Sequence, residues 1–271
     1  MTVHFAGVLE IFRRNRSLIV QLARRDITQR YKDSVLGVAW IIGQPLLQLM
    51  LYGFVFQVVL RSRWGLTAPN GEEVPFGLIL FVGILIHTLL AETLVRGPAL
   101  ILSNTTYVKR VIFPLEILPV VNVLSSLVSF TFGFGVLLIA TFIFVGHVSS
   151  LAWLAVVPVA FLAIMTLGIG WALSALGVYL RDLGQITGTL SSVLLFTAPI
   201  CFPASMVPTH LSWLLQMNPL TIPVNAVRAL VFGSSIVSAQ EICIYGVVSM
   251  LIAMLGYFLF TKMRAGFADV L

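Results

Sequence analysis

Basic side chains are concentrated near the start of the chain, at the edge of a long apolar segment. Arg24, Arg25, Arg30 and Lys32 precede a run from 34 to 60 that has no charged side chain. An arginine guanidinium donates paired hydrogen bonds to phosphate or carboxylate oxygens. These residue types therefore favour binding of an anionic lipid headgroup or of a soluble partner protein at this edge, and the sequence alone leaves the two open.

The acidic residues lie where a catalytic or relay function would not use them. Glu92, Glu116, Asp182 and Glu241 fall at the ends of apolar segments, and only His87 falls inside one. A proton relay or an intramembrane enzyme needs ionisable groups within its spans, so the pattern argues against both and predicts an interior hydrogen-bonding role for His87. The sequence has no HExxH motif and no GxxxxGK[ST] phosphate loop. If the protein drives uphill transport, we expect another chain to hydrolyse the ATP.

Apolar segments long enough to cross a membrane must position these groups. The chain is 59% hydrophobic and 10% charged, which is unlike a soluble domain, and a span needs roughly 20 apolar residues. We predict an all-α integral membrane protein: a cytoplasmic amphipathic interface segment (1–33), a six-helix transmembrane domain (34–264) and a cytoplasmic tail (265–271). The predicted spans are 34–60, 74–94, 117–145, 151–178, 186–201 and 242–261.

The distribution of lysine and arginine predicts the orientation of these spans. All of the 16 basic residues except Arg61, Arg63 and Arg228 fall before the first span, after the second or fourth, or after the last. Short loops rich in lysine and arginine stay in the cytoplasm, so both termini are predicted to be cytoplasmic. This topology accounts for the net charge of +6, and we predict no nucleic-acid partner.

The segment before the first span has the pattern of an amphipathic helix. An apolar stripe at helical spacing runs through Phe5, Val8, Leu9, Phe12, Ile19 and Leu22. A helix of this kind with flanking arginines lies in the headgroup layer of the membrane. The alternative is an ordinary topogenic anchor.

The loop after the second span predicts another short helix. Residues 103–106, Ser-Asn-Thr-Thr, are good N-cap types, and Tyr107, Val108, Lys109 and Arg110 follow them. A short helix with two cations and an aromatic ring suits a groove on a soluble protein. The alternative is a solvated basic loop.

Prolines divide the segment between the last two predicted spans. Pro199, Pro203, Pro208, Pro219 and Pro223 interrupt an otherwise apolar stretch, so we predict short helices at the outer face.

Elsewhere, the glycines at 168, 170, 184 and 188 predict close helix packing. The two cysteines, at 201 and 243, are predicted to be packed thiols rather than a disulfide.

Four segments, in order along the chain, resemble one family. They are ARRDITQRYKDSVLGVAWIIGQPLLQL (23–49), TTYVKRVIFPLEILPV (105–120), YLRDLGQI (179–186) and MNPLTIPVNAVRALVFG (217–233). The set is similar to the membrane subunits of type-2 ATP-binding cassette exporters, in the branch that exports polysaccharides and polyol phosphates such as O-antigen and teichoic acid. Together the segments cover most of residues 18–264.

The resemblance implies a homodimer with two copies of a separate ATPase, moving a lipid-linked glycan across a bacterial cytoplasmic membrane. ATP and Mg would bind the ATPase, and no cofactor would bind this chain. Membrane lipids would surround it. The implied residues for ATPase coupling are Tyr107, Val108, Lys109, Arg110, Arg24, Arg25 and Asp26. Those for a lipid pyrophosphate or the membrane interface are Arg30, Tyr31 and Lys32. The implied outer gate contains Trp213, Asn218, Pro219 and Arg228.

A glycan path requires flat apolar faces for sugar rings. Trp40, Tyr52 and Phe56 on the first span, with Phe196 and Phe202 on the fifth, are the candidates. Two other functions remain open from the sequence: a type-2 exporter of drugs or small lipids, and a membrane-embedded enzyme of envelope lipid synthesis.

Overall fold

The computed structural model describes residues 13–32, 34–62, 64–108, 113–234 and 238–270. Within these ranges the regular structure is helical, apart from one antiparallel bridge between Thr67 and Glu73. The helices are α1 (Arg16–Arg30), α2 (Trp40–Tyr52), α3 (Phe76–Arg96), α4 (Thr105–Val108), α5 (Ile117–Val145), α6 (Val156–Tyr179), α7 (Leu183–Thr197), α8 (Ser212–Met217), α9 (Thr221–Phe232), α10 (Ala239–Arg264) and α11 (Phe267–Val270). The predicted all-α class is confirmed for this part of the chain.

Five helical segments of the described chain are long and apolar enough to cross a membrane. They are Gly37–Val59, Phe76–Ala99, Ile117–Val145, Ala152–Tyr179 and Ala239–Arg264. Short 3₁₀ turns extend α2, α3 and α6, and a π-helical stretch from Gly53 to Val59 continues α2. These segments fall on the first four predicted spans and on the last.

The fifth predicted span, 186–201, differs from the helix found there. Helix α7 has 15 residues, about 22 Å at 1.5 Å per residue, which is shorter than a hydrocarbon core of about 30 Å. It ends at Thr197 because Ala198 precedes Pro199 and takes an extended conformation, as residues before proline prefer. The described chain therefore has five full-length candidates and two shorter apolar helices, α7 and α9.

Helix α3 forms the centre of the bundle. In its most apolar stretch 72% of the residues are buried, compared with 11% in Gly37–Val59. Helices α5, α6, α7 and α9 pack around it. At its end the Glu92 side chain is 22% exposed and the Arg96 side chain is 39% exposed.

Two glycines bring α6 and α10 together. A Cβ added to Gly168 would lie 2.5 Å from the Cα of Ala253, and one added to Gly256 would lie 1.9 Å from the carbonyl oxygen of Gly168. Only glycine allows backbones to approach this closely. The packing prediction is confirmed for Gly168. For Gly184 and Gly188 it is wrong among the described residues, none of which has an atom within 4 Å of an added Cβ.

Candidate functional site

Helix α1 is seated on the first turns of α5. Ile19 and Ala23 are buried against Ile117 and Val121, and Leu22 is partly buried beside them. This spacing turns one face of α1 toward α5 and leaves the arginines of the opposite face exposed. Ile19 and Leu22 thus belong to an apolar stripe, as predicted. The other stripe residues, Phe5, Val8, Leu9 and Phe12, lie outside the described residues.

Four charged residues fasten α1 to the end of α3, and we call them the charged network. Arg30 Nη1 lies 2.9 Å from Glu92 Oε2, and Arg96 Nη2 lies 2.9 Å from Asp26 Oδ1. Arg30 Nη2 also lies 3.2 Å from Asp26 Oδ2, one turn earlier on α1. From α5, the Ser126 hydroxyl donates to the Glu92 carboxylate. The two guanidinium and two carboxylate groups balance in charge and link α1 to α3, and the Ser126 hydroxyl adds α5.

Burial and ion pairing compete within the charged network. Burial disfavours the carboxylate form of Asp26, but the hydrogen bonds and charge of Arg96 and the charge of Arg30 outweigh it, so the pKa of Asp26 lies below its ordinary value. Burial likewise disfavours the charged form of Arg30, whereas Glu92 and Asp26 hold the pKa of Arg30 above its ordinary value. Asp26 and Arg30 are therefore both charged at neutral pH, and their contact is a stable ion pair.

The predicted short helix α4 contacts α1. Arg25 Nη1 donates to Tyr107 Oη at 3.1 Å, and the Tyr107 ring stacks on Phe113 with centroids 4.4 Å apart. Because Arg25 belongs to α1 and Tyr107 to α4, the two helices form one continuous surface. We call this surface the α1–α4 surface.

The residues that precede α4 also contact the turn before them. The side chains of Ser103 and Asn104 donate to the carbonyl oxygen of Leu100. An N-cap side chain accepts through its oxygen, so these donor bonds are compatible with the predicted capping, which stays a prediction.

The other residues predicted for coupling and for the interface are spread over the same region. Arg24 and Lys32 are exposed, Tyr31 is partly buried, and Val108 lies in α4. Lys109 and Arg110 lie outside the described residues. The structure thus brings together Arg25, Asp26, Arg30 and Tyr107 of the predicted set.

Behind α4, the end of α10 is tied to the start of α5. Arg264 Nη1 donates to the Glu116 carboxylate, and the Trp171 indole donates to the backbone oxygen of Glu116 at 3.0 Å. Phe260 and Phe267 are buried in the same apolar cluster as Trp171. Spans three, four and six of the prediction therefore meet next to the α1–α4 surface.

At the opposite end of the bundle, Asn218 holds the broken end of α7. Its Nδ2 donates to the Leu194 carbonyl at 2.9 Å and to Thr197 Oγ1 at 2.8 Å. Its Oδ1 accepts from the backbone N–H of Leu220 at 2.9 Å, next to the start of α9. Non-helical backbone at membrane depth needs such partners. Asn218 therefore joins the end of one short helix to the beginning of the other.

Beyond the end of α7, Arg228 donates hydrogen bonds to backbone carbonyl groups. Its Nε donates to the Ile79 carbonyl at 3.0 Å, and its two terminal nitrogens donate to the carbonyls of Pro199 and Ile200. The guanidinium carbon lies 4.6 Å from the ring centroid of Trp64, a cation–π geometry. The side chain is 6% exposed, so carbonyl dipoles and an aromatic face stabilise its charge.

The remaining predicted outer-gate and path residues differ in exposure. Trp213 is 52% exposed and Phe196 is 65% exposed, whereas Phe56 stacks on Phe76 with centroids 5.2 Å apart. Tyr52 and Phe56 pack against the main core. Trp40, Phe202 and Pro219 are partly buried.

Sequence reasoning missed several partners in these sites. Glu92 was read as a boundary carboxylate, although its spacing of four from Arg96 puts both on one face of a helix end. No local signal identifies Ser126, Trp64 or the pairing of Glu116 with Arg264, because their partners are distant in the sequence.

The arrangement defines a multi-span helical membrane protein with exposed arginines on α1 at one end. Residues 17–232 match the ABC-2 type transporter family, and the chain belongs to that family. It is a multi-pass protein of the cytoplasmic membrane, and the family implies an ATP-binding cassette ATPase as partner.

Curated relatives extend the comparison over nearly the whole chain. Two proteins from Klebsiella pneumoniae named "O-antigen export system permease protein RfbA" are 28% and 26% identical over 256 residues, covering 94% of this chain and 95% of each relative. A protein of the same name from Myxococcus xanthus is 25% identical over 260 residues, with 94% and 95% coverage.

Proposed function

We propose that this chain is the transmembrane subunit of an ATP-driven exporter that moves a lipid-linked, O-antigen-like polysaccharide across the bacterial cytoplasmic membrane. The relatives named as O-antigen export permeases align with 94% of the chain, which favours this cargo over drugs or small lipids. ATP and Mg bind the partner ATPase.

The contact between Arg25 and Tyr107 carries the proposal for coupling. It joins α1 to α4 at 3.1 Å and makes one surface on which an ATPase subunit docks. The charged network then connects that surface to α3 and α5 through Arg30, Glu92 and Ser126. A displacement of the docked ATPase is passed to the spans by this route.

The proposed topology has six crossings and cytoplasmic termini. The basic residues of α1 and of the loop after α3 support this orientation. Helix α7 and the non-helical segment after it, which Asn218 and Arg228 stabilise, together make the fifth crossing. Helices α8 and α9 lie at the outer side.

The working unit is a homodimer with two ATPase copies. The first span and α7 support this, since each has an exposed apolar face: Met50 is 64% exposed and Ile186 is 63% exposed. Helix α7 also has exposed Gln185, Thr189 and Ser192 at helical spacing. A path between two copies gives these polar groups a hydrated surface, which lipid does not.

The proposal is tested by purifying the tagged chain from its native membrane in mild detergent and reconstituting it in vesicles. We expect an ATPase to co-purify in equal amount and the vesicles to translocate the lipid-linked glycan in the presence of ATP. A chain that purifies alone, with no dependent ATPase activity, would contradict the proposal.

A further inference from the structure

A cavity with both polar and apolar walls lies between the first three spans and next to the charged network. Its volume is about 290 Å³, room for roughly ten waters at about 30 Å³ each. Helices α2, α3 and α5 surround it. It is lined by Arg30, Tyr31, Ile41, Gln44, Pro45, Gln48, Leu85, Thr88, Leu89, Glu92, Ser126, Ser129 and Phe130.

Two carboxamides of α2 lie one turn apart in this wall. Gln44 and Gln48 both line the cavity, and each has donors and acceptors to offer. Neither makes a hydrogen bond to a side chain or backbone group of the described residues. Gln44 is exposed and Gln48 is partly buried, so both carboxamides are open to water or to a bound polar group.

A proline adds an acceptor to the same wall. Pro45 lies inside α2 and has no N–H, so the carbonyl oxygen of Ile41 lacks the donor that an uninterrupted helix provides. Both residues line the cavity. From the other helices, the hydroxyls of Thr88, Ser126 and Ser129 add acceptor oxygens.

The charge of the cavity favours a neutral ligand. Its cation, Arg30, lies 2.9 Å from Glu92 and 3.2 Å from Asp26. An added anion would meet a guanidinium that two carboxylates already neutralise. Phe130, whose ring stacks on Phe134 with centroids 5.7 Å apart, adds a flat apolar face to the polar wall.

These properties match a sugar ring, which has hydroxyls around its rim and apolar C–H faces. We propose that the cavity binds one neutral sugar ring of a membrane glycolipid within each subunit. The source is either the lipid-linked glycan or another glycolipid. The first source rests on the proposed function; the second does not.

The test measures protection of a cysteine placed in the cavity. Ser129→Cys is nearly isosteric and lies in the wall; Thr131→Cys, exposed two residues further on the same helix, is the matched control. Cys201 and Cys243 are first replaced by alanine. The permease–ATPase complex is reconstituted in nanodiscs, and the rate of labelling by a small methanethiosulfonate is measured.

Three additions identify the source: lipid extract from cells that make the glycan, extract from cells that cannot, and octyl glucoside, with a sugar-free detergent of equal chain length as control. We expect Ser129→Cys to be labelled at least tenfold more slowly with the first extract, and Thr131→Cys to be unaffected. Equal protection by both extracts or by octyl glucoside assigns the site to other glycolipids. Protection only by the first assigns it to the lipid-linked glycan.

A second pair of variants links protection to the polar wall. Gln48→Leu should raise the glycolipid concentration needed for protection about tenfold, because a buried hydroxyl loses its partner. Gln57→Leu, an exposed residue of the same span outside the cavity, should not change it. Absence of protection by every addition, or no labelling of Ser129→Cys at all, overturns the inference. Glycan translocation by the wild-type complex in the same preparation tests the proposed function independently.

Discussion

Arg30 and Glu92 are 62 residues apart in the sequence, and their charged groups lie 2.9 Å apart where α1 meets the end of α3. Ser126 of α5 binds the same carboxylate. The helix that lies outside the span bundle is thereby fixed to the central helix of the bundle. A force on α1 therefore acts directly on α3 and α5.

Neutralising this pair should show energetic coupling between the two helices. Arg30→Gln leaves the partly buried Glu92 carboxylate without its ion pair, and Glu92→Gln leaves Arg30 with Asp26 as its remaining carboxylate partner. We expect each substitution to destabilise the protein by about 1–3 kcal/mol. The double variant should cost less than the sum of the two by at least ~1 kcal/mol. The measurement is thermal unfolding followed by tryptophan fluorescence in detergent.

Glu72→Gln is the control, because Glu72 is exposed in the loop between the first span and α3 and belongs to no ion pair of the described residues. Its effect should stay within about 0.5 kcal/mol. Strictly additive effects of the two network substitutions would mean that Arg30 and Glu92 are not coupled.

The stability due to Asp26 should depend on pH in one direction. Burial raises the pKa of Asp26, but the hydrogen bond and charge of Arg96 outweigh burial and hold the pKa below the ordinary value of an aspartate in the folded protein. A lowered folded-state pKa contributes stability above the unfolded-state pKa, and this contribution is lost as pH falls through the folded-state pKa. Asp26→Asn should therefore unfold about 3 °C below the wild type at neutral pH, and the gap should close as the pH falls through the folded-state pKa of Asp26. A constant gap across unfolding scans from neutral to acidic pH would contradict this assignment.

The hydroxyl of Tyr107 should matter for coupling more than for assembly. Tyr107→Phe removes the hydrogen bond from Arg25 and keeps the ring that stacks on Phe113. A hydrogen bond of about 1 kcal/mol corresponds to roughly a fivefold change. We expect ATP-dependent glycan translocation to fall about fivefold, while the ratio of co-purified ATPase stays the same.

Tyr107→Ala provides the comparison, since it removes the stacked ring as well and should reduce the amount of bound ATPase. If Tyr107→Phe translocates glycan at the wild-type rate, the contact with Arg25 does not transmit force.

Removing Arg228 should prevent correct folding. Arg228→Met leaves the carbonyl oxygens of Ile79, Pro199 and Ile200 without their donor, at about 1–3 kcal/mol each. We expect little monodisperse protein in size-exclusion chromatography. Arg228→Lys should recover only part of it, because an ammonium cannot reproduce the planar donor geometry. Arg61→Met, at an exposed position, is the control and should behave like the wild type.

A methyl group at the crossing of α6 and α10 should separate these helices. Gly256→Ala places a Cβ 1.9 Å from the carbonyl oxygen of Gly168, and overpacking of this kind typically costs about 1–3 kcal/mol or more. Gly135→Ala is the matched control in α5, since no atom lies within 4 Å of the added Cβ and alanine is the better helix former. The measurement is the unfolding temperature of each variant. If Gly256→Ala is as stable as Gly135→Ala, the helices α6 and α10 are not closely packed at this crossing.

Local properties of the sequence were enough for the helical class and for most helix positions. Hydropathy indicated the third span as 117–145, and α5 is Ile117–Val145. The same property failed at α7, since it does not distinguish an apolar helix from the apolar extended segment that follows. There the helix ends because Ala198 precedes a proline, Pro199, and takes an extended conformation.

The sequence by itself determined that this protein resides in a membrane and where most of its helices lie, because hydropathy, helical spacing and proline act over neighbouring residues. Only the tertiary structure decided which side chains share a site. Arg30 meets Glu92 across 62 residues, Arg96 meets Asp26 across 70 and Arg228 meets Ile79 across 149. Such contacts depend on how the helices pack against each other, since only packing brings distant groups within hydrogen-bond range and buries them where unpaired charge is costly.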